Sequence, residues 1–166
     1  MTLLMSGLDH DKASLALRER LSFTKNAAAD MARELAGSRG VSGAVLLSTC
    51  NRTEAYLSCE EEPVDPGKLL CSLTGCDHGE FAEAFVTREG EECVRHLMEV
   101  SCGLRSQILG EDQILTQVKD AAAIARESGA IDAVLESLFR TAASCGKAVK
   151  TELRLKGCLL YTSRCV

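Results

Sequence analysis

The residue best suited to chemistry is Cys50, which directly follows an apolar run at 41–47. A core cysteine normally has apolar strand neighbours, whereas Thr49, Asn51 and Arg52 surround this one. Asparagine tolerates the backbone of a tight turn. The thiolate is the nucleophilic form of cysteine, and a nearby cation such as Arg52 favours it. The residues alone leave two interpretations open, a reactive thiol and a structural turn cysteine.

The other cysteines show no pattern typical of metal binding. The chain has nine, an odd number, and no two are separated by only two residues. Zinc ribbons and fingers need such close pairs, so no metal site is predicted. The start of the chain lacks the basic, apolar pattern of a secretory signal, which disfavours a disulfide framework. We therefore expect most of these cysteines to be small buried residues in a reducing cytoplasm.

Three further features have both a chemical and a plain structural interpretation. On a predicted helix His96 points about 160° away from Val94, so we expect it outside the core and solvated unless it has a chemical role. The polar segment 103–113 precedes a long helix and could bind an anionic or amide group, or could simply start that helix with Asp112 as its cap. A basic stripe is either a solvated face or a set of phosphate contacts; it comprises Arg140, Lys147, Lys150 and Arg154.

The elements that position these residues follow from periodicity and end signals. Strands are predicted near 2–8, 41–47, 54–58 and 85–87. Helices are predicted near 15–21 and over 89–102. Two more are predicted from about 24 to 35, with Thr24 as N-cap, and from 66 to 75, with Asp65 as cap and Pro66 at the first helical position. The order β-α-β-β-α-β, with one extra early helix, predicts an α+β fold of ferredoxin-like type. Two long amphipathic helices, separated at 128–129, follow as an antiparallel pair.

Composition sets the broad class of protein. The 166 residues are 46% hydrophobic and 26% charged, the balance of a globular domain. A net charge of −5 argues against general polyanion binding but allows a local basic patch. No apolar run is long enough for a membrane span. We expect a cytoplasmic protein without membrane contacts.

Three segments together resemble one family, the glutamyl-tRNA reductases. VLLSTCNRTE at 45–54 resembles the nucleophile segment of that family. GLRSQILGEDQIL at 103–115, followed by QVK at 117–119, resembles a second signature, and LFRTA at 138–142 with KAVKTE at 147–152 resembles a third. Residues 7–10 and 17–20 also fit. The order and spacing agree over residues 1–152, which makes the resemblance far more specific than any single motif.

The resemblance implies a reaction and a set of site residues. Cys50 would attack the ester of glutamyl-tRNA to form a thioester, and NADPH would reduce that thioester to glutamate-1-semialdehyde in tetrapyrrole (porphyrin, haem) biosynthesis. His96 matches a family histidine implicated in activity. Positions implied to hold the glutamyl group are Thr49, Asn51, Arg52, Ser106, Glu111, Asp112, Gln113 and Gln117. Asp112 stands where the family usually has proline, and a guanidinium such as that of Arg52 suits a carboxylate.

The resemblance also implies a domain organisation. Residues 1–152 correspond to the N-terminal catalytic domain, with a ferredoxin-like part at about 1–102 and a helical part at 103–152. Residues 153–166 match nothing in the family, and our hypothesis is a frame-shifted or artificial end, which resequencing the native locus would test. No Gly-x-Gly-x-x-Gly motif occurs, so we expect the NADPH-binding domain to be absent from this chain.

The implied partners are glutamyl-tRNA and the downstream aminomutase, and the family dimerises through a region that we expect to be absent here. Two alternatives to an active catalytic domain remain open. One is a non-catalytic fragment of the same fold that binds tRNA or a protein. The other is an inactive fragment of low stability.

Overall fold

Four strands form one antiparallel sheet at the centre of the molecule. The structure is a computed structural model that describes residues 1–60, 64–108, 111 and 113–153. The strands are β1 Thr2–Asp9, β2 Val41–Ser48, β3 Arg52–Cys59 and β4 Val86–Glu89. Their order in the sheet is β2-β3-β1-β4, with every neighbouring pair antiparallel. This is the order of two interleaved β-α-β units, so the predicted α+β, ferredoxin-like class is confirmed.

Seven helices accompany the sheet in the part of the chain that is described. They are α1 Leu15–Arg20, α2 Lys25–Ala36, α3 Pro66–Thr74, α4 His78–Phe81, α5 Gly90–Ser101, α6 Gln113–Glu127 and α7 Ala133–Leu153. The predicted caps form, because Thr24 Oγ1 accepts from the Ala27 N–H and Asp65 Oδ1 accepts from the Gly67 N–H. The four-residue helix α4 was not predicted, since one turn is too short to show a helical period.

Both faces of the sheet are covered by helices, which explains the apolar run of β2. Leu46 belongs to a core formed with α2 and α3 on one face. Val45 and Leu47 belong to a larger core formed with α5, α6 and α7 on the other. A strand buried on both faces needs apolar side chains at successive positions rather than at alternate ones. Among the described residues, no helix is both long enough and apolar enough to cross a bilayer.

The central strand β3 is buried along its whole length although it carries charged residues. Arg52 and Glu54 are 1% and 2% exposed, and they share with Tyr56 the strand face that packs towards α5 and α7. Gly7 lies opposite Glu54 in the β1–β3 register. A Cβ atom at Gly7 would lie only 2.6 Å from Glu54 Cγ, so the glycine leaves the room that the buried carboxylate side chain occupies.

Helix α7 is fixed to the rest of the domain at its start and near its end. Asp132 accepts from the Leu135 N–H and from the Ser58 hydroxyl, which links the start of α7 to β3. Near the other end, Gly146 lies against the backbone of Ser101 so closely that no Cβ atom would fit. Helices α5 and α7 therefore meet backbone to backbone.

One sequence prediction for the helices is wrong. His96 is only 4% exposed and lies on the buried face of α5, together with Cys93, Leu97 and Val100. The prediction took Val94 as the centre of the core face, whereas Val94 lies at its edge. The His96 ring instead points inward and is hydrogen-bonded to the buried carboxylate of Glu54. The sequence left the basic stripe open between a solvated face and a set of phosphate contacts; one of its members, Lys150, donates from its ammonium to a backbone carbonyl. Asp112, Arg154 and the tail from 154 lie outside the described residues.

Candidate functional site

Cys50 lies at the tip of the tight turn that joins β2 to β3. The Thr49 N–H donates to the Arg52 carbonyl over 2.8 Å, which closes the turn. The Thr49 hydroxyl oxygen accepts from the backbone N–H groups of Asn51 and Arg52, each over 3.1 Å. These bonds satisfy the backbone of the turn internally and leave the Cys50 side chain exposed to solvent.

The segment between α1 and α2 holds this turn in place. Ser48 Oγ accepts from the Phe23 N–H over 3.1 Å, and the Thr53 hydroxyl donates to the Leu21 carbonyl over 2.8 Å. Arg18 Nε donates to the carbonyl of Cys50 itself over 3.2 Å. Sequence reasoning missed a role for Arg18, although its segment fitted the family, because only the fold brings it to a residue 32 positions away.

A narrow cleft, here called the Cys50 cleft, opens beside the thiol. Its lining comes from the β2–β3 turn, from the segment after α5 and from the first turns of α6. The lining residues are Thr49, Cys50, Asn51, Arg52, Ser106, Glu111, Gln113, Ile114 and Gln117. The fold thus brings together every residue that was expected to hold the substrate, except Asp112, which lies outside the described residues.

The segment after α5 is also fixed from the side of α7. Lys150 Nζ donates to the Glu111 carbonyl over 2.8 Å, so the last turns of α7 hold the backbone that carries Glu111 into the cleft. On the sheet side, Arg52 Nη2 donates to the carbonyl of Arg105, the residue before Ser106. Two cations therefore hold the two ends of this wall of the cleft through its backbone carbonyls.

A buried cluster of charged and polar groups lies behind Arg52. Glu54 Oε1 accepts from Arg52 Nη1 and faces His96 Nε2, each over 2.9 Å, while the Tyr56 hydroxyl donates to Oε2 over 2.7 Å. Burial alone would raise the pKa of Glu54, but the hydrogen bond and charge of His96, with Arg52 and Tyr56, lower that pKa to about 2. Burial, together with the same carboxylate, raises the pKa of Tyr56 well above its ordinary value.

His96 does not line the Cys50 cleft; it reaches the cleft through Glu54 and Arg52. Its Nδ1 atom is buried and has no hydrogen-bond partner among the described residues. Glu54 and Tyr56 are the partners that sequence reasoning missed. A signal was present, because an acidic residue on a central strand is rarely left without a paired cation.

The exposure of Cys50 sets it apart from the other cysteines. Burial raises the pKa of Cys71 and Cys102 to about 11 and that of Cys93 to about 12. Such thiols form little thiolate at neutral pH and make poor nucleophiles. Of the seven cysteines in the described part of the chain, Cys50 alone is exposed, and the others are half-buried or buried.

The described residues offer no site for a metal ion or a dinucleotide. No group of three histidine, cysteine, aspartate or glutamate side chains among them could hold a metal. A dinucleotide site of the common kind needs adjacent parallel strands with a glycine-rich turn at their carboxyl end. Here every neighbouring strand pair is antiparallel, and the sequence has no such turn. The residues present therefore do not fit a nicotinamide cofactor.

The fold and site define an α+β domain that presents an exposed thiol beside a polar cleft, and comparison with known proteins identifies its family. The family described as the N-terminal domain of glutamyl-tRNA(Glu) reductase matches residues 6–153. The chain belongs to this family.

Known proteins match most of this chain. Glutamyl-tRNA reductase from Acetivibrio thermocellus is 46% identical over 156 residues, which cover 93% of this chain and 47% of the relative. A probable multifunctional siroheme biosynthesis protein from Ruminiclostridium josui is 45% identical and covers 94% of this chain and 31% of its own length. The solved glutamyl-tRNA reductase of Methanopyrus kandleri matches with a TM-score of 0.73 and 34% identity over 90% of this chain and 34% of that one. The chain thus spans about half, or less, of the length of these proteins.

Proposed function

We propose that this chain is the substrate-binding and acyl-accepting domain of a glutamyl-tRNA reductase, with Cys50 as its nucleophile. The observation that carries the proposal is the exposed thiol of Cys50 at a cleft lined by the polar residues of three separate segments. An exposed thiol that faced an apolar groove or a flat surface would have no means of orienting an amino-acid ester.

The proposed step is an acyl transfer. The Cys50 thiolate attacks the ester carbonyl of glutamyl-tRNA, a C–S bond forms, and the C–O bond to the terminal ribose breaks. The ribose oxygen takes up a proton and the tRNA leaves, so the protein carries a glutamyl thioester. Ser106, Gln113 and Gln117 offer hydroxyl and amide groups for the polar atoms of the glutamyl group. The remaining N–H groups of Arg52 suit its carboxylate.

The reduction is assigned to a part of the full-length protein other than residues 1–153. In the relatives' reaction NADPH would reduce the thioester to glutamate-1-semialdehyde, and the product would enter tetrapyrrole biosynthesis. Because the described residues do not fit a nicotinamide cofactor, no residue of this chain is given a role in hydride transfer. Likewise, no residue is assigned to a contact with the downstream aminomutase or to dimerisation.

A second surface supports the binding of RNA. A groove between α6 and α7, here called the basic groove, is lined by four cations and one carboxylate: Lys119, Arg126, Arg140, Lys147 and Glu136. Arg126 pairs with Glu136, whereas no hydrogen bond or ion pair joins the other three side chains to another described residue. Three cations grouped on a protein of net charge −5 suit the phosphates of the tRNA.

The proposal is tested by acylation of the protein with radiolabelled glutamyl-tRNA. We expect label on the intact chain that neutral hydroxylamine removes, as it removes a thioester. Cys50→Ser should carry no hydroxylamine-labile label. Cys76→Ser, a matched change at a half-buried cysteine away from the cleft, should acylate as the wild type does.

The outcomes separate the interpretations. A folded wild-type chain without label would contradict the acyl-accepting role. If that chain still bound tRNA with a salt-dependent affinity that Cys50→Ser retained, the non-catalytic binding fragment would be favoured. A chain that unfolds at low temperature would correspond to the inactive fragment.

A further inference from the structure

Glu54 is the centre of the buried cluster, although it does not line the Cys50 cleft. Both of its oxygens are occupied: Oε1 by Arg52 Nη1 and His96 Nε2, and Oε2 by the Tyr56 hydroxyl, at 2.7–2.9 Å. The residue is 2% exposed. The protein itself supplies hydrogen-bond partners to both oxygens of this carboxylate, so it needs no water to satisfy them. Its position therefore fixes, and is fixed by, three other side chains.

The position of the Arg52 guanidinium depends directly on Glu54. Arg52 is 1% exposed, yet it contributes to the lining of the cleft. One of its nitrogens donates to Glu54 and another to the carbonyl of Arg105, which precedes Ser106. Without Glu54, the carbonyl of Arg105 would be the one hydrogen-bond partner left to the guanidinium among the described residues. The charge of Arg52 would then be buried without a counter-ion.

Glu54 also determines the tautomer of His96. An ionised carboxylate only accepts hydrogen bonds, so Nε2 of His96 carries the proton. Nδ1 is buried without a partner, and an N–H at that position would be an unsatisfied buried donor. In the neutral ring the proton therefore lies on Nε2 rather than on Nδ1.

The cluster is a costly way to stabilise a strand. Apolar residues of similar volume usually stabilise a core as well as a buried ion pair does, or better. The central strand nevertheless carries the charged pair of Arg52 and Glu54 next to the cleft, and Arg52 itself lines the cleft. This placement is expected if the cluster serves the site.

We propose that Glu54 is a positioning residue for acyl transfer to Cys50: it holds the Arg52 guanidinium in the cleft and is itself held by His96 and Tyr56. The inference rests on the proposed function of the cleft. Under this inference His96 acts through Glu54 and Arg52, and it need not touch the substrate.

The first test is the single-turnover rate of thioester formation by the full chain. For Glu54→Gln we expect the maximal rate to fall about 10- to 100-fold, because a small displacement of a positioning group costs rates of this order. The half-saturating concentration of glutamyl-tRNA should change little, since the proposed phosphate contacts lie in the basic groove and not at Glu54. The matched control is Glu92→Gln on the exposed side of α5, which should leave both constants unchanged.

A double-mutant cycle with Arg52 separates positioning from a general loss of stability. If Glu54 acts through Arg52, Arg52→Lys combined with Glu54→Gln should be no slower than Arg52→Lys alone. Rate losses that multiply would show that the two residues act independently and would overturn the inference.

A spectroscopic test reports on the geometry without requiring turnover. The chain has three histidines, so ¹⁵N-histidine labelling gives a simple spectrum in which His96→Asn identifies the relevant signals. We expect a pure Nε2–H tautomer for His96 in the wild type and a mixture of tautomers in Glu54→Gln. An Nδ1–H tautomer in the wild type would contradict the proposed arrangement.

Tyr56→Phe keeps the charge of Glu54 and tests the inference if Glu54→Gln does not fold. It removes one of the three donors to the carboxylate, so we expect a rate loss of about threefold to tenfold with unchanged half-saturation. A wild-type rate in folded Tyr56→Phe would then contradict the inference. If the wild type forms no thioester, the proposed function fails; the histidine spectra then decide whether Glu54 orients the cluster.

Discussion

Glu54 is a carboxylate whose ionisation the fold stabilises, and this gives a prediction at the scale of one residue. Its pKa falls from 4.5 to about 2 on folding, so the unfolded chain binds the proton more tightly. The corresponding stabilisation, about 3 kcal/mol, is present above pH 4.5 and is lost as the pH falls towards 2. We expect the stability of the wild type to decrease across this interval more steeply than that of Glu54→Gln.

The measurement is urea unfolding of both proteins at several pH values between 2 and 6. The exposed carboxylates titrate alike in the two proteins, so the difference between the two curves reports Glu54. The difference in unfolding free energy should shrink as the pH falls. A constant difference would show that the pKa of Glu54 is not lowered on folding.

At the same scale, the sequence predicted which residues line the Cys50 cleft better than it predicted their contacts. Arg52 was expected to stabilise the thiolate or bind a carboxylate, and the structure gives it Glu54 as a buried partner. His96 was predicted to lie outside the core, because helical spacing alone cannot show that a carboxylate on another element forms a hydrogen bond with a buried histidine. Contacts between residues 42 positions apart, such as His96 and Glu54, depend on the register of β3 and on the rotation of α5.

At the scale of elements, the close contact of α5 with α7 gives a second prediction. The methyl group of Gly146→Ala would lie 2.9 Å from the carbonyl carbon of Ser101 and would contact its oxygen more closely still. Because backbone cannot rotate away as a side chain does, α7 must shift. We expect a net loss of about 1–3 kcal/mol despite the better helix propensity of alanine.

Thermal or urea unfolding checks this prediction. The control is Gly37→Ala after α2, where the φ angle of −77° suits alanine and the nearest atom would be 3.3 Å away. That variant should be neutral or slightly stabilised. Equal stability of the two variants would show that α5 and α7 can separate without cost. A shift of α7 should also weaken the bond from Lys150 to Glu111, and therefore slow acylation.

The elements themselves were largely predictable, because caps and periodicity are local signals. The Thr24 and Asp65 caps and the order of strands and helices along the chain followed from short segments. The hydrogen bonds by which Arg18 and the α1–α2 segment hold the β2–β3 turn could not be predicted from such local signals. They require the packed positions of elements that are distant in sequence.

At the scale of the whole molecule, an acidic chain carries the basic groove, and α6 connects that groove to the cleft. Gln113 and Gln117 of α6 line the cleft, while Lys119 and Arg126 further along the same helix line the groove. From residue 113 to residue 126 an α-helix rises about 20 Å. A tRNA whose acceptor end lies at Cys50 could therefore place backbone phosphates along the groove.

This arrangement predicts how tRNA affinity depends on salt. Arg140→Gln and Lys147→Gln should each weaken the binding of uncharged tRNA and reduce the slope of log affinity against log salt by about one. Fluorescence anisotropy at several salt concentrations measures both quantities. Lys68→Gln on α3, the helix layer across the sheet from α6 and α7, removes the same charge and should leave the slope unchanged. Cys50→Ser should bind as the wild type does. Slopes that fell equally for all three charge variants would indicate a general effect of net charge, and the groove would then not be the binding surface.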